Sequence, residues 1–174
     1  MKFMKKYLCL IIASQLVISC ATKKVEDRFE KIIFHTTKCF GTCPEYHLEL
    51  NKNQEIKLYT EKAYQKRKID TSKIGYYKGK LDNKTYAEFL ELLDKIDLKK
   101  SGIIEPIYEP NTILLNERSQ LFLILYMDKK RKPIIYIYPA GHWQKIMTFL
   151  YKIAEDDSLI KINEELDIEK FDLN

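Results

Sequence analysis

The sequence is poor in glycine and carries none of the common signatures of nucleotide-binding or acyl-transfer enzymes. It has only five glycines in 174 residues, and it contains no internal repeat, P-loop, dinucleotide-binding fingerprint or nucleophile elbow. A chain rich in Lys, Ile and Tyr but poor in Gly is expected to form regular elements instead of low-complexity segments. The patterns therefore predict a folded domain, and they assign no catalytic residue, no metal site and no cofactor.

The chain also lacks the excess of positive charge that is typical of nucleic-acid-binding proteins. Its formal net charge is +5, but residues 1–19 contribute three lysines and no acidic residue, so the remainder carries only +2. We therefore expect no nucleic-acid partner. The roughly 155 residues after position 19 are a suitable length for one domain with a real hydrophobic core.

The first 19 residues have the layout of a secretory signal peptide. A start with three lysines precedes an apolar run over residues 7–18, which ends at Ser19 and Cys20. This order of basic, apolar and small residues is typical of signal peptides. Because the apolar run is shorter than the roughly 20 residues of a membrane-spanning helix, we predict that it is cleaved.

Residues 17–20 resemble the lipobox of bacterial lipoproteins, with Val17, Ile18 and Ser19 before Cys20. The resemblance implies that Cys20 becomes the first residue and carries a diacylglycerol thioether and an N-acyl chain. Several acyl chains anchor a protein lastingly in a membrane, since each buried methylene contributes about 0.8 kcal/mol. The residue after Cys20 is Ala21 and not an Asp, which is compatible with transport to the outer membrane. We therefore expect the protein to lie on the periplasmic or surface face of the outer membrane of a bacterial envelope. An ordinary secretory signal with Cys20 as a free thiol is the alternative.

The region after the N-terminus has the pattern of antiparallel strands. The β-branched and aromatic stretch 31–37 predicts one strand, and strict alternation over 45–50 predicts a second. A turn at "NKNQ" leads into a third strand at 55–60, and 62–80 is expected to add one or two more. Alternation in the second strand predicts core positions for Tyr46, Leu48 and Leu50 and solvent-exposed positions for Glu45, His47 and Glu49.

Two later stretches have the 3.6-residue period of amphipathic helices. The first follows Asp82, a predicted N-cap, and its pattern stops near Leu98. The second covers 141–156 and has the stronger apolar stripe. Its predicted buried residues are Trp143, Ile146, Met147, Leu150, Ile153 and Ala154.

A second hairpin is predicted between the two helices. An extended connection at 99–118, of a length that is often functional, leads into strands at 120–127 and 133–138, which are joined by a charged turn at 128–132. The predicted fold class is α+β, with an antiparallel sheet made of a meander plus the second hairpin and two amphipathic helices packed on one face.

The predicted domain organisation follows from these elements. We place a cleaved signal peptide at 1–19, a lipidated N-terminus and linker at 20–30, a single domain at 31–155 and an acidic C-terminal tail at 156–174.

Cys39 and Cys43 lie four residues apart and are interpreted as a disulfide that closes a turn. In an extended chain their Cα atoms would be about 13 Å apart, which is too far for a disulfide. Gly41 permits a positive φ and Pro44 keeps Cys43 out of the α region, so the chain can fold back there. An oxidising compartment favours a disulfide, worth about 2 kcal/mol for so short a loop.

Two other interpretations of this region remain open. His35, Cys39, Cys43 and His47 are evenly spaced and are ligands that zinc accepts. However, the Cys spacing is not that of a common zinc site, and both histidines are more simply interpreted as exposed strand residues. A redox-active pair is the other alternative, although it usually has the Cys-x2-Cys spacing at a helix N-terminus.

Basic residues are concentrated at 57–80 and at 128–132, while the C-terminal tail is acidic. The first stretch contains Tyr59, Tyr64, Tyr76 and Tyr77 and could bind an anionic glycan or lipid headgroups. Solvated hairpin faces are the simpler interpretation, which we favour. We also consider pairing of the acidic tail with this basic stretch inside the domain.

The segments "CFGTCPEYHLEL" and "GYYKGKL" resemble an uncharacterised domain family of bacterial lipoproteins with a CFG-x-CP-x-Y signature. The likeness covers roughly residues 30–155 and departs from the family at the "NKNQ" turn, where a glycine is usual. It implies an exported α+β domain of unknown function with Cys39 and Cys43 as its signature pair. The sequence thus predicts a cell-envelope lipoprotein that binds or braces an envelope protein or glycan. The alternative is a thiol-redox or metal protein centred on these cysteines.

Overall fold

A computed structural model of the protein describes residues 24–37, 41–96, 121–136 and 141–171, and shows an antiparallel sheet with helices on one face. The seven strands of the sheet are β1 (Phe29–Thr36), β2 (Glu45–Asn51), β3 (Glu55–Lys62), β6 (Gly75–Lys80), β7 (Leu121–Met127), β8 (Lys130–Tyr136) and β9 (Ile160–Ile162). A separate small hairpin consists of β4 (Tyr64–Gln65) and β5 (Lys68–Ile69). The α-helices are the short α1 (Val25–Arg28), α2 (Asn83–Asp94) and α3 (Gly141–Ala154).

The strand order is β8-β7-β1-β2-β3-β6-β9, and every neighbouring pair is antiparallel. The predicted α+β class is confirmed, but the predicted arrangement of a meander plus a second hairpin understates the sheet. The second hairpin pairs through β7 with the free edge of β1, so both hairpins belong to one sheet. At the opposite edge β9 pairs with β6, although its residues were assigned to the C-terminal tail.

Helices α2 and α3 pack on the same face of this sheet. Their buried side chains join alternate residues of the central strands in one hydrophobic cluster, in which Phe34 meets Tyr151 and Phe29 meets Phe89 edge to face. All six predicted residues of the α3 stripe are buried. Asp82 caps α2 as predicted, since its carboxylate accepts hydrogen bonds from the main-chain N–H groups of Lys84 and Thr85.

Two local predictions need correction. Helix α2 ends at Asp94, earlier than the sequence pattern indicates. The charged turn is only two residues long, because Asp128 and Lys129 both have positive φ, as a two-residue hairpin loop requires, and β8 starts at Lys130. The predicted connection at 99–118 lies outside the described residues.

The face of the sheet that points away from the helices, here called the second face, is also covered. Ile33 and Ile124 are opposite each other in the register, are fully buried, and lie outside the main hydrophobic cluster. Glu45 and Glu49, predicted to be solvent-exposed, are buried as well. Residues 163–171, here called the C-terminal segment, follow β9 and contact this second face.

Candidate functional site

A row of ring side chains crosses the second face of the sheet. The strand register places Phe122 opposite His35, His35 opposite His47, His47 opposite Tyr59, and Tyr59 opposite Tyr76. Because side chains alternate between the two faces of a strand, directly opposite residues lie on one face. These five residues, here called the ring row, therefore run across five neighbouring strands.

Ring contacts connect the row from His35 to Tyr76. The centroids of His35 and His47 are 5.1 Å apart, and His47 stacks on Tyr59 at 5.6 Å. Tyr59 stacks on Tyr76 at 4.5 Å with an interplanar angle of 23°. The row is therefore a continuous series of stacked and tilted rings across the sheet.

The two histidines form the most unusual contact of the row. Their Nδ1 atoms are 2.8 Å apart, and Nε2 of His47 lies 3.3 Å from a carboxylate oxygen of Glu61. His35 is only 6% exposed, and its Nε2 has no hydrogen-bond partner of good geometry among the described residues. The prediction that both histidines are exposed strand residues is therefore wrong for His35 and incomplete for His47, which is half-buried.

Burial controls the charge of His35. Burial and, to a lesser extent, the neighbouring His47 lower the pKa of His35 to about 4. The main chain and carboxylate of Glu169 act in the opposite sense but do not compensate for the lost hydration. His35 is therefore neutral at pH 7.

Glu169 fixes the C-terminal segment to the second face. One carboxylate oxygen accepts a hydrogen bond from Nε of Arg131 at 2.9 Å, and the other accepts one from the hydroxyl of Tyr126 at 2.7 Å. Nζ of Lys31 is 3.7 Å away. Burial alone would raise the pKa of Glu169, but the two hydrogen bonds and the charge of Lys31 lower it.

Further contacts continue along the segment. Lys78 pairs with Glu164 at 3.3 Å, Lys57 donates to the carbonyl oxygen of Asp167 at 3.3 Å, and Phe171 packs against Phe122. The acidic tail thus pairs with the basic stretch inside the domain, as the sequence suggested. Other cations of that stretch are paired too, including Lys62 with Glu45 at 2.6 Å and Lys73 with Asp157 at 3.2 Å.

A cleft of about 680 Å³ lies between the ring row and the C-terminal segment. Its floor contains the two histidines, the two tyrosines and Glu61, and its wall includes Glu165, Asp167 and Lys170. Three carboxylates and one ammonium group line this cleft. Its volume falls within the range of small-molecule sites. A second cavity at the end of α3 measures only about 120 Å³, which is too small for most ligands.

The predicted cysteine turn is described only in part. Cys20 and Cys39 lie outside the described residues, so lipidation and the pairing of Cys39 with Cys43 stay predictions. Gly41 has a φ of +143°, and β2 begins directly after Pro44, at Glu45. The hydroxyl of Thr36 ties this region to β1, because it donates to the carbonyl oxygen of Pro44 and accepts from the main-chain N–H of Tyr46, both at 2.8 Å.

Within the described parts of the chain, no helix is both long enough and apolar enough to cross a membrane. In the same parts, no three His, Cys, Asp or Glu side chains come together as a metal-binding group. His142, the third histidine, is exposed on the first turn of α3, far in sequence from the other two.

Comparison with known proteins identifies a family but no activity. The family model described as "Domain of unknown function (DUF6438)" matches residues 30–167, and the chain belongs to this family. The match includes β9 and most of the residues that line the cleft. No curated protein matches the chain.

Proposed function

We propose that this member of the DUF6438 family is a lipid-anchored lipoprotein of the bacterial cell envelope, and that its domain is a non-enzymatic binding module. The N-terminal pattern of lysines, apolar run and lipobox supports the anchor at Cys20, in the outer membrane. The cleft between the ring row and the C-terminal segment supports the binding role, and it is the observation on which the proposal depends.

A disulfide between Cys39 and Cys43 is part of this proposal. Cys43, the one cysteine within the described residues, is disulfide-bonded, which favours this pairing over a free thiol or a thiolate metal site. Oxidation of this kind is expected of a protein exported from the cytoplasm.

The chemistry of the cleft favours a glycan as its ligand. Tyr59 and Tyr76 offer hydroxyl groups and ring edges, while Glu61, Glu165 and Asp167 offer acceptors for sugar hydroxyls or amines. Burial raises the pKa of Tyr76, and Glu165 raises it further, so the phenol stays protonated and can donate. The excess of carboxylates disfavours an anionic glycan, and four cations of the basic stretch that suggested one are paired within the domain. We therefore favour a neutral or amine-bearing envelope glycan.

The anchor is tested by labelling cells with an alkyne analogue of palmitate. The wild-type protein and Cys9→Ala, whose change lies in the apolar run of the signal, should both be labelled and should fractionate with membranes. Cys20→Ala should be unlabelled. Equal labelling of Cys20→Ala and wild type would contradict the proposed anchor.

The binding role is tested by calorimetric titration of the purified domain with neutral, amine-bearing and anionic oligosaccharides from envelope polymers. Tyr76→Ala removes a ring from the cleft, whereas Tyr64→Ala removes one from the small hairpin β4–β5, outside it. We expect at least a tenfold loss of affinity for neutral or amine-bearing sugars in Tyr76→Ala only. Affinity for anionic sugars alone, or an equal effect of both substitutions, would refute the assignment.

A further inference from the structure

We propose that one end of the sheet, formed by the turns at 51–54 and 128–129 and here called the turn end, lies against the membrane and contacts lipid phosphate headgroups through Lys52 and Lys129. This inference rests on the proposed lipid anchor at Cys20, to which it adds an orientation and a contact surface.

The two turns and the start of the domain lie together at the turn end. The main-chain carbonyl oxygen of Glu30 accepts a hydrogen bond from the N–H of Lys52, and its carboxylate accepts one from the N–H of Lys129, both at 2.8 Å. The carbonyl oxygen of Arg28, the last residue of α1, accepts from the N–H of Asp128 at 2.9 Å. Both turns are thus bonded to α1 and to the first residues of β1.

The proposed anchor is close to this end in the chain. Only four Cα–Cα steps, from 20 to 24, separate Cys20 from Lys24, and they span at most about 14 Å when fully extended. Val25 is only 8% exposed and belongs to the main hydrophobic cluster, which fixes α1 to the domain. Because α1 has four residues, or about 6 Å of helix, the tether ends near both turns. The acyl chains therefore hold the turn end, and not the opposite end, next to the bilayer.

The tips of the two turns carry ammonium groups that are available to a partner. Lys52 and Lys129 are exposed, and neither forms an ion pair with any residue that the structure describes. Lysine side chains beside a bilayer are attracted by the anionic lipids of its surface. Two such side chains, one on each turn, would contact headgroups on both sides of the point where the tether enters the domain.

The carboxylates of the turn end leave this contact possible. Asp128 pairs with Arg28 at 2.8 Å, and the carboxylate of Glu30 accepts the N–H of its neighbouring turn. Glu26 and Asp27 are exposed on α1. The attraction therefore depends on the position of the two lysines at the turn tips, and not on an overall positive charge of this end.

The opposite end of the sheet supplies a built-in comparison. Strand β3 leads away from the turn end for eight residues, from Glu55 to Lys62, or about 23 Å. The small hairpin β4–β5 follows, and its Lys66 and Lys68 are exposed. These lysines have the same chemistry as the two turn lysines, but in the proposed orientation they point away from the lipid.

The orientation also places the cleft. His35 is six residues beyond Phe29 in β1, so the ring row lies about 20 Å from the turn end. The cleft is then held above the headgroups, where it can meet an envelope glycan.

The test is acetylation of lysines by a membrane-impermeant reagent, followed residue by residue by mass spectrometry of the lipidated chain purified from membranes. The chain is compared in detergent and on preformed vesicles of phosphatidylcholine with roughly one third phosphatidylglycerol. We expect Lys52 and Lys129 to react about fivefold more slowly on these vesicles, and to be protected less by phosphatidylcholine alone. Lys66 and Lys68 should react at the same rate throughout.

A matched pair of substitutions tests whether the two turns act together. Lys52→Gln should weaken the protection of Lys129, since one of the two headgroup contacts is lost. Lys68→Gln should leave that protection unchanged. Both substituted side chains are exposed, so the fold is expected to stay intact, and circular dichroism checks it.

Flotation of the vesicles distinguishes failure of this inference from failure of the anchor. A chain that does not float with vesicles lacks the anchor, and both proposals fail. A chain that floats while Lys52 and Lys129 react as in detergent keeps the anchor and overturns the orientation. Equal protection on both kinds of vesicle, or protection of Lys66 and Lys68 instead, would also overturn it.

Discussion

The attachment of the C-terminal segment to the second face of the sheet can be tested by changing Glu169 to Gln. Substitution keeps the size of the side chain but removes its charge. The carboxylate accepts hydrogen bonds from Arg131 and Tyr126 and lies 3.7 Å from Lys31. The substitution therefore removes the negative charge from all three partners at once. The side chain of Glu169 is only 28% exposed, so water replaces these contacts poorly.

The expected cost follows from this geometry. A hydrogen bond to a charged group contributes about 1.5–3 kcal/mol when it is partly buried, and the amide of Gln recovers part of this by accepting through its oxygen. We expect Glu169→Gln to lower the free energy of unfolding by about 1–3 kcal/mol. Glu164→Gln on the same segment is the matched control. Its side chain is 76% exposed and pairs with Lys78 at 3.3 Å, so it should change stability by less than about 0.5 kcal/mol.

The effect should also depend on pH in a definite direction. The contacts lower the pKa of Glu169 below its ordinary value of 4.5. A carboxylate with a lowered pKa stabilises the folded state above its ordinary pKa, and this contribution disappears as the pH falls through its pKa in the folded protein. The difference between wild type and Glu169→Gln should therefore be full at pH 7 and shrink below about pH 4.5.

Urea unfolding at pH 7 and at pH 3.5 measures these differences, and hydrogen exchange of the amides of residues 165–171 locates them. Faster exchange in the segment of Glu169→Gln, but not of Glu164→Gln, is the expected result. If both variants exchange and unfold like wild type, Glu169 does not hold the segment, and other contacts attach it to the second face.

Three further substitutions test other parts of the reasoning by urea unfolding. As the pH falls from 6.5 to 4 in metal-free buffer, the free energy of unfolding of the wild type should fall by about 3 kcal/mol relative to that of His35→Phe, because the buried neutral ring resists protonation. Parallel pH profiles of the two proteins would contradict this. Asp82→Ala should cost about 1 kcal/mol by removing the cap of α2, and an unchanged midpoint would show that water caps the helix equally well. Lys129→Gly should stabilise the hairpin by roughly 0.5 kcal/mol, since φ at this position is +59°, and a lower midpoint would show that the Lys side chain matters more than the backbone.

Periodicity predicted the elements that have one buried face. The six-residue stripe of α3 is buried as expected, and the alternation in β2 correctly assigned Tyr46, Leu48 and Leu50 to the core. Such patterns are reliable because burial of an apolar face against one layer imposes a period on the sequence. The cap at Asp82 was predictable for a similar reason, since it depends only on residues nearby in the chain.

The order of the strands was not predictable in this way. Nothing in the local pattern of β7 specifies that it pairs with β1 instead of standing in a separate hairpin, because either arrangement buries the same residues. The prediction that the glutamates of the second face are solvent-exposed was wrong for a related reason. The alternation in β2 places Glu49 at a solvent-exposed position, but its side chain is buried beside Lys31 and Lys57. Ion pairs between strands leave no periodic pattern in the sequence, so this burial could not be predicted.

The histidine pair shows how sequence spacing and strand register can group the same residues differently. The even spacing of His35, Cys39, Cys43 and His47 suggests one cluster of four ligands along the chain. In the sheet, His35 and His47 are direct neighbours because β1 and β2 are antiparallel, and their Nδ1 atoms meet whether or not the cysteines take part. The proposed disulfide would occupy Cys43, so the groups of this region that can meet a ligand are the two imidazoles and the cleft that they face. The contact between the two histidines therefore depends on the pairing of β1 with β2, and this distinguishes it from a site that requires the cysteines.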